Sequence, residues 1–320
     1  MSLFTKFMIT VAAVAGTAFI NPAFAKYPEN TISVTVPTEL TSGADVTARF
    51  LQRRVQESLG MMLTVDALTE EGGIKAVEHV KAGKPDGYTL LLTNSFPVAR
   101  DVALGQNLPY DPVKDLTPLV KLSYNPMAVV VAKGSQIETV EQLVEAAKQS
   151  GSLSYGSANA SAQVATELFL TLADVKAKPT SYDDVASALK ALEEKKIDFM
   201  FADTDSLMTL AVNHPLRVIA TTADKRYKHA PNAPTLQELG YKDYYMVDWL
   251  AIFGPAGMSE EAQKEASEAL LTVYTEKRSL NFLERTNWEV FPGNYKELAD
   301  FQKAEIQRWS EAAQQANLSQ

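Results

Sequence analysis

The chain has 320 residues, no cysteine, three histidines and a formal charge of −9, with 46% hydrophobic residues. The lack of cysteine excludes disulfides, thiol nucleophiles and thiolate metal sites, and the acidic balance, with a pI near 5.0, argues against nucleic-acid binding. The length fits two domains whose cores are large enough to hold without disulfides.

The first 25 residues read as an export leader. Lys6 supplies a short positive region, Phe7 to Ile20 is apolar or small throughout, and Ala23-Phe24-Ala25 fits the small-x-small cleavage rule. The apolar run is shorter than the ~20 residues a membrane span needs. Cleavage after Ala25 is expected, leaving a mature periplasmic chain that starts at Lys26 and is one charge more negative.

Strand-like and helix-like patterns then alternate, the rhythm of parallel sheets covered by helices. Ile32 to Val36 reads as a short buried strand. The polar corner Pro37-Thr-Glu-Leu-Thr-Ser42 opens a helix at Gly43, whose Ala44, Ala48, Leu51, Val55 and Leu59 recur at steps of three and four, with Gly60 as its stop. Met62 to Val65 and Tyr88 to Thr93 are strand-like, with a helix over 72–81 between them. Two strands, 119–123 and 127–132, follow a proline-rich loop.

The second series has helices near 138–149, 161–173, 183–194 and 205–213. Its strands lie near 152–155, 177–181, 197–202 and 216–222. Leu153-Ser-Tyr155 runs through the second polar corner, Gly156-Ser-Ala-Asn-Ala-Ser161, into a helix. After a polar loop over 225–234 come a strand over 244–253 and helices over 259–276 and 294–317. These last helices are expected to return to the first sheet. The chain would then cross between two units near residues 120 and 245, with a ligand cleft between them.

Both corners open a helix, and a helix start presents unpaired N–H groups that suit an anion. The Ser and Asn residues of either corner also make ordinary helix caps. Glu39 would repel an anion if it pointed inward, and is expected to point to solvent. Asp203 and Asp205 follow a strand and form either a cleft carboxylate pair or a cap, with Asp205 favoured as the cap. Tyr182-Asp183-Asp184 carries the same ambiguity. His79, His214 and His229 share no metal-type spacing, and neither a Walker loop nor a G-x-S-x-G or H-E-x-x-H motif occurs.

The chain resembles the Bug-type extracytoplasmic solute receptors, the binding proteins of tripartite tricarboxylate transporters. The marks are Lys84-Pro-Asp-Gly-Tyr-Thr-Leu-Leu-Leu92, Leu108-Pro-Tyr-Asp-Pro-Val-Lys-Asp-Leu116, Ser154-Tyr-Gly-Ser157, Ala233-Pro-Thr235 and Phe253-Gly-Pro-Ala-Gly257. The resemblance implies a two-domain α/β periplasmic binding protein (Venus-flytrap) fold, each domain a mostly parallel sheet flanked by helices. The first domain would be residues 26–120 plus 245–320, the second 121–244. It further implies a monomeric receptor without catalysis or cofactor. That receptor would bind a small organic acid or amino-acid-like ligand and signal to membrane transporter subunits or a sensor kinase.

Departures from the family pattern bear on the ligand. In the first loop Pro37, Gly43 and Asp45 match, but Thr38 replaces the family's Phe and Thr41-Ser42 stand where flexible glycine is usual. The second family loop, Asp66 to Gly72 here, lacks its arginine and several glycines, while Tyr155-Gly156-Ser157 matches well. The candidate ligand contacts are Thr38, Glu39, Leu40, Thr41, Ser42, Asp45, Asn94, Ser157, Ala158, Asn159, Ala160, Ser161, Tyr182 and Asp203. Extra acids at Glu39, Glu70, Glu71, Asp183, Asp203 and Asp205 point away from a plain dicarboxylate and toward a ligand that carries an amine beside its carboxylate. Two alternatives stand beside this reading. One is a receptor-like scaffold with a decayed or protein-recognition site, the other an exported enzyme using Asp203 with Glu39.

Overall fold

The computed structural model describes residues 27–151, 153–210 and 214–318. The leader expected over 1–25 lies outside these residues. In chain order the strands are β1 (Ile32–Val36), β2 (Leu63–Ala67), β3 (Thr89–Asn94), β4 (Leu116–Ala132), β5 (Ser154–Ser157), β6 (Lys178–Ser181), β7 (Phe199–Asp203), β8 (Leu216–Thr221), β9 (Val247–Pro255) and β10 (Glu289–Gly293). The helices are α1 (Gly43–Leu59), α2 (Ile74–Lys81), α3 (Asp101–Ala103), α4 (Val140–Ser150), α5 (Ala160–Leu172), α6 (Val185–Glu193), α7 (Thr204–Leu210), α8 (Glu260–Thr275), α9 (Lys277–Leu283) and α10 (Tyr295–Gln315).

Helix α1 forms as its sequence predicts. Ser42 caps it, accepting from Asp45 N at 3.2 Å. Gly60 ends it at φ 69°, a left-handed conformation that only glycine adopts without strain. Ala44, Ala48, Leu51 and Val55 are buried, so the apolar stripe is the face laid on the sheet. Leu51 and Val55 each contribute about 1.5–3 kcal/mol when fully buried, and the two alanines about 0.8 kcal/mol each.

The two strands expected over 119–132 are one. Residues Leu116 to Pro126 pair with β9, and Met127 to Ala132 pair with β7 and β8. Pro126 has no N–H to give a ladder, and it sits where the strand changes partners, so the chain continues past it. β4 is therefore the spine shared by two sheets. In the first lobe the order is β2-β1-β3-β9-β4, with β10 antiparallel on β4. In the second, β7, β5 and β6 extend from β4, and β8 joins its other side. The outer pairs β1–β2, β1–β3, β5–β6 and β5–β7 are parallel. The pairs made by β9 and β4 at the centre are antiparallel, so each sheet is mixed.

Strand alternation builds a core on both faces of each sheet. On β9, Leu250 and Ile252 join the cluster under α1 and α8, while Trp249, Ala251 and Phe253 join that of α2 and the start of α10. On β7, Phe199 and Phe201 face α4 and α5, while Met200 and Ala202 face α6 and α7. Helix α10 runs across both lobes: Leu298 packs in the first, Trp309 and Ala312 in the second. No helix of the described residues is long and apolar enough to cross a membrane.

Candidate functional site

A cavity of about 740 Å³ opens where β4 passes between the lobes, and both polar corners line it. From the first corner come Thr38, Glu39, Leu40, Thr41 and Ser42; from the second, Ala158, Asn159 and Ser161; Asn94 and Asp203 line it as well. Glu39, expected to face solvent, is exposed and also borders the cavity. Asp45, Ser157, Ala160 and Tyr182 are not in its wall. Asp45 is buried at the base of the first corner. Ser157 is buried at the end of β5, and Ala160 is exposed. Tyr182 packs beside Ile197 against Gly156, where an added Cβ would lie 2.5 Å from Ile197 Cδ1 and 3.1 Å from the Tyr182 ring.

The first corner spends its donors on itself. Thr41 stands at φ 70° and its N–H donates to Asp45 Oδ2 at 3.1 Å. Arg49 Nε donates to the same carboxylate, at 2.9 Å from Oδ1. Thr38 Oγ1 and Ser42 Oγ lie 2.6 Å apart, sharing a hydroxyl proton. The side chains of Asp45 and Ser42 therefore occupy groups that a glycine-rich loop would turn toward an anion.

The second corner is held from outside. Asn159 caps α5, accepting from Ala162 N at 2.9 Å. Ser161 Oγ accepts from Arg100 Nη1 at 2.7 Å. Arg100 stacks over the Phe96 ring, 3.5 Å from its centre, and pairs with Asp101 at 2.6 Å. It comes from the π-type turn Phe96–Arg100 after β3, so this contact joins the lobes.

The cap assignment of the aspartates is reversed. Asp203 caps α7, accepting from Ser206 N at 2.7 Å, and burial raises its pKa above the usual carboxylate value. Asp205 instead reaches across the cleft, accepting from Asn287 Nδ2 at 2.9 Å and Trp288 Nε1 at 3.3 Å. Asp184 caps α6 through Ser187 N at 2.7 Å, and that backbone bond first of all holds its pKa below the usual value. It also lines the cavity.

Sequence reasoning missed Ser95, Phe96, Asn125, Asp248, Trp288 and Trp309 in the wall. Asp248 was findable: it is a lone acid in the apolar run Val247–Pro255. Its Oδ1 accepts from Ser95 N at 3.0 Å, Ser95 Oγ at 2.6 Å and Trp249 N at 2.9 Å. Burial pushes its pKa up to about 6 against these bonds. Carboxylates thus reach the cavity from Glu39, Asp184, Asp203, Asp205 and Asp248, while no Lys, Arg or His of the described residues lines it. No group of three or more His, Asp and Glu among the described residues is placed to hold a metal ion.

A family model described as "Tripartite tricarboxylate transporter family receptor" matches residues 47–318. Protein BugT of Bordetella pertussis is 27% identical over 235 residues, covering 72% of this chain and 72% of that protein. The structure of R. palustris Rpa4515 with adipate matches with a TM-score of 0.76 at 24% identity, over 92% of this chain and 99% of that one. MatC from Rhodopseudomonas palustris with bound malate matches with a TM-score of 0.70 at 22% identity, over 89% of this chain and 99% of that one. At these identities the two structures establish the shared fold.

Proposed function

The chain belongs to the tripartite tricarboxylate transporter receptor family, and from that premise we propose that it captures a small carboxylate-bearing solute in the periplasm. The solute sits between the lobes and is passed, by the closed receptor, to membrane transporter subunits or a sensor kinase. The observation that carries this reading is the cavity lined from both lobes by the starts of α1 and α5. The α5 corner is the anion end of the site: its small residues allow close approach to the helix N-terminus, and Arg100 stands behind Ser161. The acids on the other walls, Glu39, Asp203 and Asp205, suit an amine on the same solute, so an amino-acid-like ligand fits better than a plain diacid. The adipate and malate of the two solved relatives support the carboxylate half of this reading. Asp203 serves α7 as a cap, which favours a receptor over an enzyme built on Asp203 and Glu39. We further propose the division 26–120 plus 245–320 and 121–244 as the moving units, with the first crossing carried on to Pro126, where β4 changes partners, and a monomer.

A thermal-shift screen of organic acids, amino acids and aromatic acids tests the reading. A ligand at a hundred times its Kd adds about 2.7 kcal/mol, a Tm rise of about 4 °C for a chain of this size. Tight binding of plain diacids with no preference for amino acids would overturn the amine. The closed donors of the first corner favour one competing reading, a site that no longer binds small molecules. No shift with any acid would establish that reading instead.

A further inference from the structure

We propose that Asp248 meets the carboxylate of the captured solute as a protonated acid, so that capture takes up a proton. This rests on the carboxylate reading above. Asp248 lies on β9 in register with Asn125 of β4 and lines the cavity. Its three donors all reach Oδ1, which fixes the carboxyl plane. No hydrogen bond among the described residues reaches Oδ2, so Oδ2 is the free oxygen of a cavity-lining side chain.

The wall decides what Oδ2 does. An anionic solute finds no Lys, Arg or His among the described lining residues. Two ionised carboxylates side by side repel, whereas two that share one proton form a short, charge-assisted O–H···O bond. The proton comes from a buffer acid: its H–O or H–N bond breaks, the buffer is left as the conjugate base, and one O–H bond forms at Oδ2. No bond within the solute or the rest of the protein changes, and the complex carries one negative charge fewer than two ionised carboxylates would.

The surroundings set the pH at which this happens. From the turn after β3, Arg100 pulls the Asp248 pKa down, as do the bonds from Ser95, but burial outweighs them and holds it at about 6. Strand β3 presents neutral Asn94, and β4 presents neutral Asn125, which accepts from Asp205 N at 3.3 Å. Asp205 and Asp203 on the second lobe, with Glu39 and Asp184 on the remaining walls, all add negative charge to the cavity. On α10, neutral Trp309 lines the cavity beside the Glu305–Arg308 ion pair. A bound carboxylate adds one more negative charge and raises the pKa further.

Calorimetric titration with acetate, succinate, glutamate and β-alanine as probes tests this, at pH 5.5 and 7.5 in pairs of buffers of different ionisation enthalpy. A probe that binds is expected to take up close to one proton at pH 7.5 and little at pH 5.5. Its affinity falls about tenfold per pH unit above the free pKa, until the pKa of the complex is passed. Asp248→Asn keeps an acceptor for Ser95 and an N–H for the solute. It is expected to bind with no proton uptake and with an affinity that is the same at both pH values, its fold checked by circular dichroism. Binding with no uptake, binding that tightens as pH rises, or an unchanged pH profile in Asp248→Asn overturns the proposal and leaves the carboxylate reading standing. An acid that shifts the Tm in the wider screen takes the place of the four probes if none of them binds; if no acid of that screen binds at either pH, the carboxylate reading fails, and this inference with it.

Discussion

Trp288 Nε1 donates to Asp205 Oδ2 at 3.3 Å, a bond between a segment packed on the first lobe and a helix of the second. Gly43 makes room for it: a Cβ there would lie 2.2 Å from the same indole nitrogen. Asn287 Nδ2 adds a second bond to Asp205 at 2.9 Å. The start of α1, the tryptophan and the aspartate are thus one wall of the cavity and one latch across it.

Asp205→Ala removes that latch. Hydrogen bonds to a charged group contribute about 1.5–3 kcal/mol, and Asp205 is partly exposed, which puts the effect at the lower end. Solute affinity is expected to fall about tenfold with little change in unfolding midpoint. Small-angle scattering should show a more open unliganded protein. Unchanged scattering and affinity would remove Asp205 from the closing contacts.

Asp45→Ala should act on the first corner alone. It strands Thr41 N–H, leaves Arg49 unpaired and lets the corner relax from its left-handed residue. A buried carboxylate with these bonds predicts a loss of about 1–3 kcal/mol, read by urea denaturation. A loss of solute binding larger than the loss of stability explains would show that the corner shapes the site.

Gly156→Ala places a Cβ 2.5 Å from Ile197 Cδ1. Overpacking of this kind costs about 1–3 kcal/mol. Ile197→Val removes the offending methyl, so the double variant should be more stable than the two single losses predict. Simple additivity in a double-mutant cycle would mean the clash is relieved elsewhere.

Asp248 also ties stability to pH. Its folded-state pKa of about 6 lies above the unfolded value of about 3.9. The folded protein therefore binds more protons between those values, and stability falls as pH rises through that window. Asp248→Asn is expected to raise the Tm relative to the parent at pH 7.5, by roughly 2–3 kcal/mol of stability. The advantage should disappear near pH 4. An equal effect at both pH values would mean the carboxyl is not perturbed in the fold.

The elements that announce themselves by period were legible in the sequence. Ala44, Ala48, Leu51 and Val55 gave the buried face of α1, and the family motifs gave the receptor fold. What failed was local chemistry decided by tertiary contacts. Two strands were expected over 119–123 and 127–132, but β4 runs unbroken through Pro126, which sits where its partners change. Asp205 looked like a cap, but Asn287 and Trp288 claim it from the other lobe. Those residues belong to the short elements around β10, which carry no periodicity to read. The Phe96–Arg100 turn was hidden for the same reason, and with it the contact from Arg100 to Ser161. The corner at α5 kept its place in the cavity wall through Ala158, Asn159 and Ser161, although Ser157 and Ala160 fall outside it.

The central claim is that a carboxylate docks at the start of α5. Ala158 lines the cavity just ahead of the Asn159 cap, so Ala158→Glu puts a fixed negative charge where the solute's own should lie without touching the core. Calorimetry of the best acid from the screen, with parent and variant, is the direct measurement. Binding by the parent and a more than about hundredfold loss in the variant, with the Tm unchanged, is the predicted result. Equal affinity in both proteins would contradict the claim.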